Sequence, residues 1–428
     1  MPLMNPKQLK LPNGLNLILY PMSSVQSVSV YVTVGAGPRY ETEETSGLAH
    51  FLEHMLFEGT KKFPTSKEIS SRIEKLGGSA SAYTDKEYVM YYLKIPKKYL
   101  ETGLDYLSDI LFNSLLNQKA IIKEKRILSE EMKRAIDNAD WEIWNAWYEW
   151  VWGKDQWLGR PTLGEEGTIQ NITKKKLQDY IGKLYHPSNM VIAVAGNFSI
   201  ERAEELIKQY FGKQQSKKSP FFEKLKFIPK NIRTKIIKVN TNQVHLILGF
   251  VTGISNEHID RFPIRVITDI LTIGASSRLF NKLVYELGIA YSTGSQAWPL
   301  NETGLFYIYG DFSAKNIKKA IKVILEEIKN LKKEKVSDEE LNEAKERDKN
   351  GLYFSLETPD SIASLFSVQR ITEKRIITPE EIIKGIDKVT SGDIQRAARK
   401  YLTKENLRLV IRGPFEENNL ESIEKLLK

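Results

Sequence analysis

The 428-residue chain has no cysteine, which excludes disulfides and thiolate metal sites; any transition-metal site must be built from His, Asp and Glu. Histidine is scarce too, with five in all. No uninterrupted apolar run approaches the roughly 20 residues needed to cross a bilayer. The opening MPLMNPKQLKLPNG lacks a basic flank followed by an apolar core. Both features predict a cytoplasmic protein without a membrane partner. Charge of one sign is not in large excess: 63 Lys and Arg against 54 Asp and Glu give a net +9, dispersed in mixtures such as KKEKVSDEELNEAKERDK. Such mixtures read as solvated helix faces. With no aromatic-interleaved basic stripe and no nucleic-acid module, a nucleic-acid partner is not expected. What is present, 41% hydrophobic and 27% charged residues, is the profile of a globular chain, and its length favours two domains or more.

LKLPNGLNLILYPM alternates apolar and polar residues about Pro-Asn-Gly and predicts a hairpin, and SVSVYVTV a β-branched strand. Leu48, Phe51, Leu52 and Met55 cluster at helical spacing, and a second helix is expected over about 66–76. SASAYTDKEYVMYYLKI returns to strand character, and a broken helical stretch runs from about 98 to 152. The ending of the first half, YHPSNMVIAVAGNFSIERAEELIKQYF, can be laid without gaps on LTKENLRLVIRGPFEENNLESIEKLLK: Asn189 falls on Asn406 and Gly196 on Gly413, a shift of 406 − 189 = 217 residues. A shift that preserves strand, glycine turn and helix indicates two copies of one unit. The expected architecture is α+β, with two homologous domains, each a mostly antiparallel sheet flanked by helices. The boundaries read from composition are 1–212 and 233–428, with a lysine- and proline-bearing linker over 213–232.

Two of the five histidines lie four apart in HFLEH, residues 50–54. On a helix their imidazoles are about 40° apart and reach one ion, with Glu53 flanking that face. The order His-x-x-Glu-His is the inverted zincin arrangement, which would leave Glu53 free to take a proton from water at the metal. A pair of helical histidines is as often an ordinary surface or core pair, so the motif needs a third ligand. AIIKEKRILSEEMKRAI offers one. Ile121, Leu128, Met132 and Ala135 form an apolar seam, and Glu124 and Glu131, seven apart and about 20° from each other, border it, while Glu130 faces outward. Carboxylates beside a buried seam need cationic partners. Glu131 as metal ligand and Glu124 as acceptor for the far nitrogen of a ligating histidine is one solution; salt bridges to Lys125 or Arg126 are the other.

GLAHFLEHMLFEGTKKFP followed by Glu124 and Glu131 resembles the pitrilysin-like zinc metallopeptidases, which include insulin-degrading enzyme and mitochondrial processing peptidase. That family carries its glutamate ligand some 76 residues after the motif, and 76 residues separate His54 from Glu131 here. AYTDKEYVMYY, WLGRPTLG, YHPSNMVIAVAGNF, GASSRLFNKL and LGIAYS extend the resemblance over nearly the whole chain. It implies one Zn2+ held by His50, His54 and Glu131, Glu53 as general base, Glu124 supporting a ligand, and the strand Ser79, Ala80, Ser81, Ala82 and Tyr83 pairing with a peptide substrate. It also implies a fold like that of the processing peptidase and pairing with a second subunit around a peptide chamber.

Two departures bear on mechanism. Relatives carry an arginine and, seven residues later, a tyrosine that bind substrate and the oxyanion. Tyr291 fits the tyrosine, but Val284 stands at the arginine. The chain is therefore expected to be the metal-bearing subunit of a heterodimer whose related partner supplies an Arg/Tyr pair, with a homodimer as the alternative. Ser81 stands where relatives commonly carry asparagine. A different function class, a non-catalytic scaffold subunit like the core proteins of the respiratory cytochrome complex, is set against a complete metal motif. Trp141, Trp144, Trp147 and Trp150, three apart, wind about 180° round a helix; they are read either as core or as partly facing another chain or the substrate. His186, His245 and His258 have no ligand-like spacing.

Overall fold

The computed structural model describes residues 5–218, 222–228, 232–373, 375–416 and 418–427. Of the linker expected at 213–232, residues 219–221 and 229–231 lie outside them. Among the described residues no helix is long and apolar enough to cross a membrane.

The alternating segments become strands. β1 (Lys7–Lys10) and β2 (Asn16–Pro21) form the hairpin across Pro-Asn-Gly. With β3 (Ser27–Val34), β4 (Ser79–Thr84), β5 (Val89–Pro96) and β6 (Met190–Gly196) they make a six-stranded sheet ordered β1-β2-β6-β3-β5-β4. A second sheet contains β7 (Thr234–Lys238), β8 (Gln243–Val251), β9 (Ala290–Pro299), β10 (Gly304–Ser313) and β11 (Leu407–Gly413), ordered β7-β11-β8-β10-β9. Pairing is antiparallel except between β2 and β6 and between β7 and β11. Laying the second sheet on β2-β6-β3-β5-β4 preserves order and direction at every step, and β6 and β11 are the strands of the repeated ending. The α+β unit is built twice.

The helical stretches become α1 (Leu48–Met55), α2 (Ser66–Glu74), α3 (Leu100–Asn113), α4 (Gln118–Asp137) and α5 (Ala139–Trp152), with α6 (Pro359–Thr372) far downstream. Two compact units result, each assembled from three segments: Met1–Arg134, Arg160–Glu223 and Tyr353–Thr378 in one, Ala135–Gly159, Lys224–Leu352 and Pro379–Lys428 in the other.

In the first unit α6 lies on β3 and β6. It starts with Thr358, whose hydroxyl accepts from the Ser361 N–H, and with Pro359 in the first turn, where a missing N–H costs nothing. Asp360 then accepts from the Ser29 hydroxyl at 2.8 Å and from the Lys94 ammonium at 2.7 Å, and Phe366 is fully buried.

In the second unit α5, capped by Asn138, lies on β8 and β11. Trp147 is fully buried, and a Cβ on Gly249 of β8 would stand 2.4 Å from its ring. Trp141, Trp144 and Trp150 are half-buried, so the stripe is core on this unit's own sheet.

Candidate metal centre

Helix α1 carries the motif, and its position is set at its N-terminus. Gly47 precedes it with φ 85°, and a Cβ there would come within 2.7 Å of Gly164, so only glycine lets the chain enter the helix at this point. Gly47 offers no side chain to cap the first turn. The buried Glu41 does so from outside, one oxygen accepting from the Gly47 N–H at 3.0 Å and the other from the Ala49 N–H at 2.8 Å. Burial pushes the Glu41 carboxyl up to about 7, against the pull of those two N–H groups and of Arg160 and Lys86. Leu48, Phe51, Leu52 and Met55 then face the core.

Helix α4 presents the carboxylates as its seam dictates. Ile121, Leu128 and Met132 are buried, Glu130 is exposed, Glu124 is buried at the seam's edge, and Glu131 is half-buried. Across the two helices, His50 Nε2 lies 3.8 Å from Glu131 Oε1, and His54 Nε2 lies 3.7 Å from Glu131 Oε2. The two imidazoles stand 4.8 Å apart, centre to centre, at 66°. Among the described residues this is the one group of three His, Cys, Asp or Glu whose ligand atoms converge, all within 4.8 Å of one another. A tetrahedral Zn2+ with bonds of about 2.1 Å holds its ligand atoms about 3.4 Å apart. The spacing and the donor set of two nitrogens and one carboxylate therefore fit such an ion, with a fourth position left over.

The surroundings suit that use. Glu124 Oε2 lies 3.2 Å from His54 Nδ1, which fixes Nε2 as the nitrogen turned toward Glu131. Burial opposes a charge on His54, but the Glu124 hydrogen bond and the charges of Glu131 and Glu53 outweigh it and raise its pKa. Burial, reinforced by His54, holds His50 down at about 3, so its ring is neutral and a free donor. Glu124 is kept below the ordinary carboxylate range; desolvation works against this, and His54 and Lys123 prevail. The salt-bridge alternative involves Lys123, 3.3 Å from Glu124, and not Lys125 or Arg126.

Glu53 lies one residue before His54, and burial raises its pKa against the opposing pull of Thr84 and His54. The Thr84 hydroxyl, at the end of β4, donates to its carboxylate. β4 is the edge strand of its sheet. Ser79, Ser81 and Tyr83 are exposed on it, and Ala80 and Ala82 are half-buried. Among the described residues its outer edge pairs with no strand.

Tyr291 belongs to the second unit, on the edge strand β9, and is 73% exposed. His186 contacts Ser188 at 3.0 Å, His245 lies 2.7 Å from Asp311, and His258 lies 4.0 Å from Asp260. Sequence reasoning missed Glu41 and Thr84. Neither sits in a local capping or catalytic pattern, and the one available signal was Gly47 beginning a helix without a capping side chain.

Residues 17–163 match the family described as Insulinase (Peptidase family M16), and residues 171–347 match the Peptidase M16 inactive domain. An uncharacterized zinc protease of Bacillus subtilis is 32% identical over 92% of this chain and 95% of its own length. The β subunit of the mitochondrial-processing peptidase of Saccharomyces cerevisiae is 31% identical over 94% of this chain and 90% of its own. Among solved structures, a protease from Helicobacter pylori superposes with a TM-score of 0.88 at 21% identity, covering 96% of this chain and 99% of that one. A chain of complex III2 from Candida albicans does so at 0.85 and 17%, covering 98% and 99%; both of these likenesses speak to the fold. With the duplicated α+β units and the convergent histidines and glutamate already in view, these matches over both halves establish that the chain belongs to the M16, pitrilysin-like, peptidase family.

Proposed function

We propose that this chain is a zinc-dependent endopeptidase acting on peptides and unfolded polypeptides. The observation that carries the reading is the convergence of His50, His54 and Glu131 from two helices, with Glu53 on the first of them. His50, His54 and Glu131 would hold one Zn2+, which when bound lowers the pKa of water and polarises a carbonyl oxygen. Glu53 takes the proton of the attacking water and passes it to the leaving amine; its raised pKa brings it closer to neutrality than an exposed glutamate. Thr84 holds the Glu53 carboxylate in one orientation, and Glu124 holds the His54 tautomer. A peptide adds to the outer edge of β4 as a further strand, its side chains falling alternately beside Ser79, Ser81 and Tyr83 and beside Ala80 and Ala82.

Tyr291 is assigned to the oxyanion as a single hydrogen-bond donor. With Val284 seven residues before it, the guanidinium that relatives use is lacking. The working assembly is therefore a heterodimer enclosing a peptide chamber, in which a related subunit supplies an Arg/Tyr pair; full activity of the purified chain alone would favour the homodimer. The relatives named as zinc proteases and as a processing-peptidase β subunit support the reading.

Metal analysis and cleavage of an internally quenched peptide test it. Near-stoichiometric zinc is expected in the wild type and in Glu53→Gln but not in Glu131→Ala, with Glu53→Gln slowing cleavage about 10²- to 10⁴-fold. A stable, metal-free wild-type protein would instead mark a scaffold subunit.

A further inference from the structure

The second unit contains a cavity of about 530 Å³ that the metal centre does not use. Its walls come from α5, β8, β9 and β10, and no Lys or Arg is among the residues lining it, although the chain as a whole carries a net +9. Two carboxylates face it. Asp311 accepts from the Ser292 hydroxyl at 2.5 Å and lies 2.7 Å from His245 Nδ1. Asp140, at the start of α5, is mostly exposed, with Oδ1 3.9 Å from the same nitrogen. Aromatic rings supply the other walls. Trp144 packs against Tyr307 at 4.8 Å and Tyr309 at 5.7 Å, both near-perpendicular. Tyr309 is 38% exposed.

Carboxylates beside aromatic faces, in a space free of competing cations, are complementary to a planar organic cation: the rings offer their negative faces and the carboxylates accept its N–H groups. The volume exceeds what a metal ion needs and suits a small molecule or a side chain with its flanking atoms. We infer that this cavity binds an amidinium or guanidinium group, through Asp140 and Asp311 and the rings of Trp144 and Tyr309. The site stands independently of the zinc reading, since all its lining residues belong to the second unit.

The experiment titrates benzamidine, and its neutral isostere benzamide, into the full chain by calorimetry, with and without a chelator. Benzamidine is expected to bind at least about tenfold more tightly than benzamide, and Asp140→Asn and Asp311→Asn each to weaken it about tenfold. Asp140 is exposed, so its substitution leaves folding intact and keeps the test sound should Asp311→Asn disturb His245. Chelator leaves the affinity unchanged. Displacement of benzamidine by a ten-residue peptide bearing one arginine, and not by its citrulline counterpart, would identify the natural ligand as a side chain; no displacement by either would identify it as a free small molecule. Equal binding of benzamidine and benzamide, no binding of benzamidine, or full affinity in both Asn variants would overturn the inference. Loss of peptidase activity with this discrimination preserved would count against the zinc reading alone.

Discussion

Trp147 offers a quantitative test of how α5 completes the second sheet. Its side chain is fully buried, with Tyr307 5.7 Å and Tyr148 5.4 Å away between ring centres. Gly249 lies so close that a methyl group there would sit 2.4 Å from the indole and 3.1 Å from the Tyr307 Cβ. Trp147→Ala should cost about 3–5 kcal/mol, the transfer free energy of the ring plus the void it leaves. Gly249→Ala should cost about 1–3 kcal/mol, because the added methyl has nowhere to go while the indole is present. In the double variant the methyl enters the space the indole vacated. The combined loss should therefore fall short of the sum by about 1–3 kcal/mol. Urea denaturation of the four proteins, with hydrogen exchange locating the loss in β8 and β11, measures this. Additivity within about 0.5 kcal/mol, or a loss of protection centred on β3 and β6, would refute the packing argument.

Glu41→Ala strips two buried N–H groups of their acceptor, and a loss of about 2–6 kcal/mol with weakened zinc retention is expected at pH 5. Because the folded chain holds the Glu41 proton up to about pH 7 and the unfolded chain releases it near 4.5, wild-type stability should fall by about 3 kcal/mol as pH rises through that interval, a slope absent from the variant; a pH series of denaturation midpoints checks both. Asp260 is the opposite case: its hydrogen bond from Arg396 heads the causes that hold it at about 2, below the ordinary 3.8. Its contribution is present above pH 3.8 and lost as pH falls through 2, so Asp260→Asn should flatten the acid limb of the stability curve.

Much of the candidate site was legible because helical geometry is rigid. Spacings of four and seven fix which side chains share a face, so His50 with His54 and Glu124 with Glu131 could be paired within each helix from numbering alone. Duplication was legible because a constant shift aligned strand, glycine and helix, as β6 and β11 bear out. The sheet that each helix covers was not. The tryptophans of α5 and the apolar face of α6 announce burial, yet an apolar stripe does not name its partner, and both helices cross to the unit built mostly from the other half. Glu41 escaped notice because it caps α1 through a chain reversal that leaves no capping box, and Thr84 because a lone hydroxyl at a strand end carries no periodicity.

The exchange of α5 and α6 also constrains how the protein comes into being. A ribosome releasing this chain exposes β3 and β6 long before Pro359–Thr372 emerges, so one apolar face of the first sheet must wait uncovered while most of the remaining polypeptide is made. During that interval the nascent protein is vulnerable to aggregation, and a truncation before residue 359 would leave it so permanently, although every proposed zinc ligand had already been synthesised.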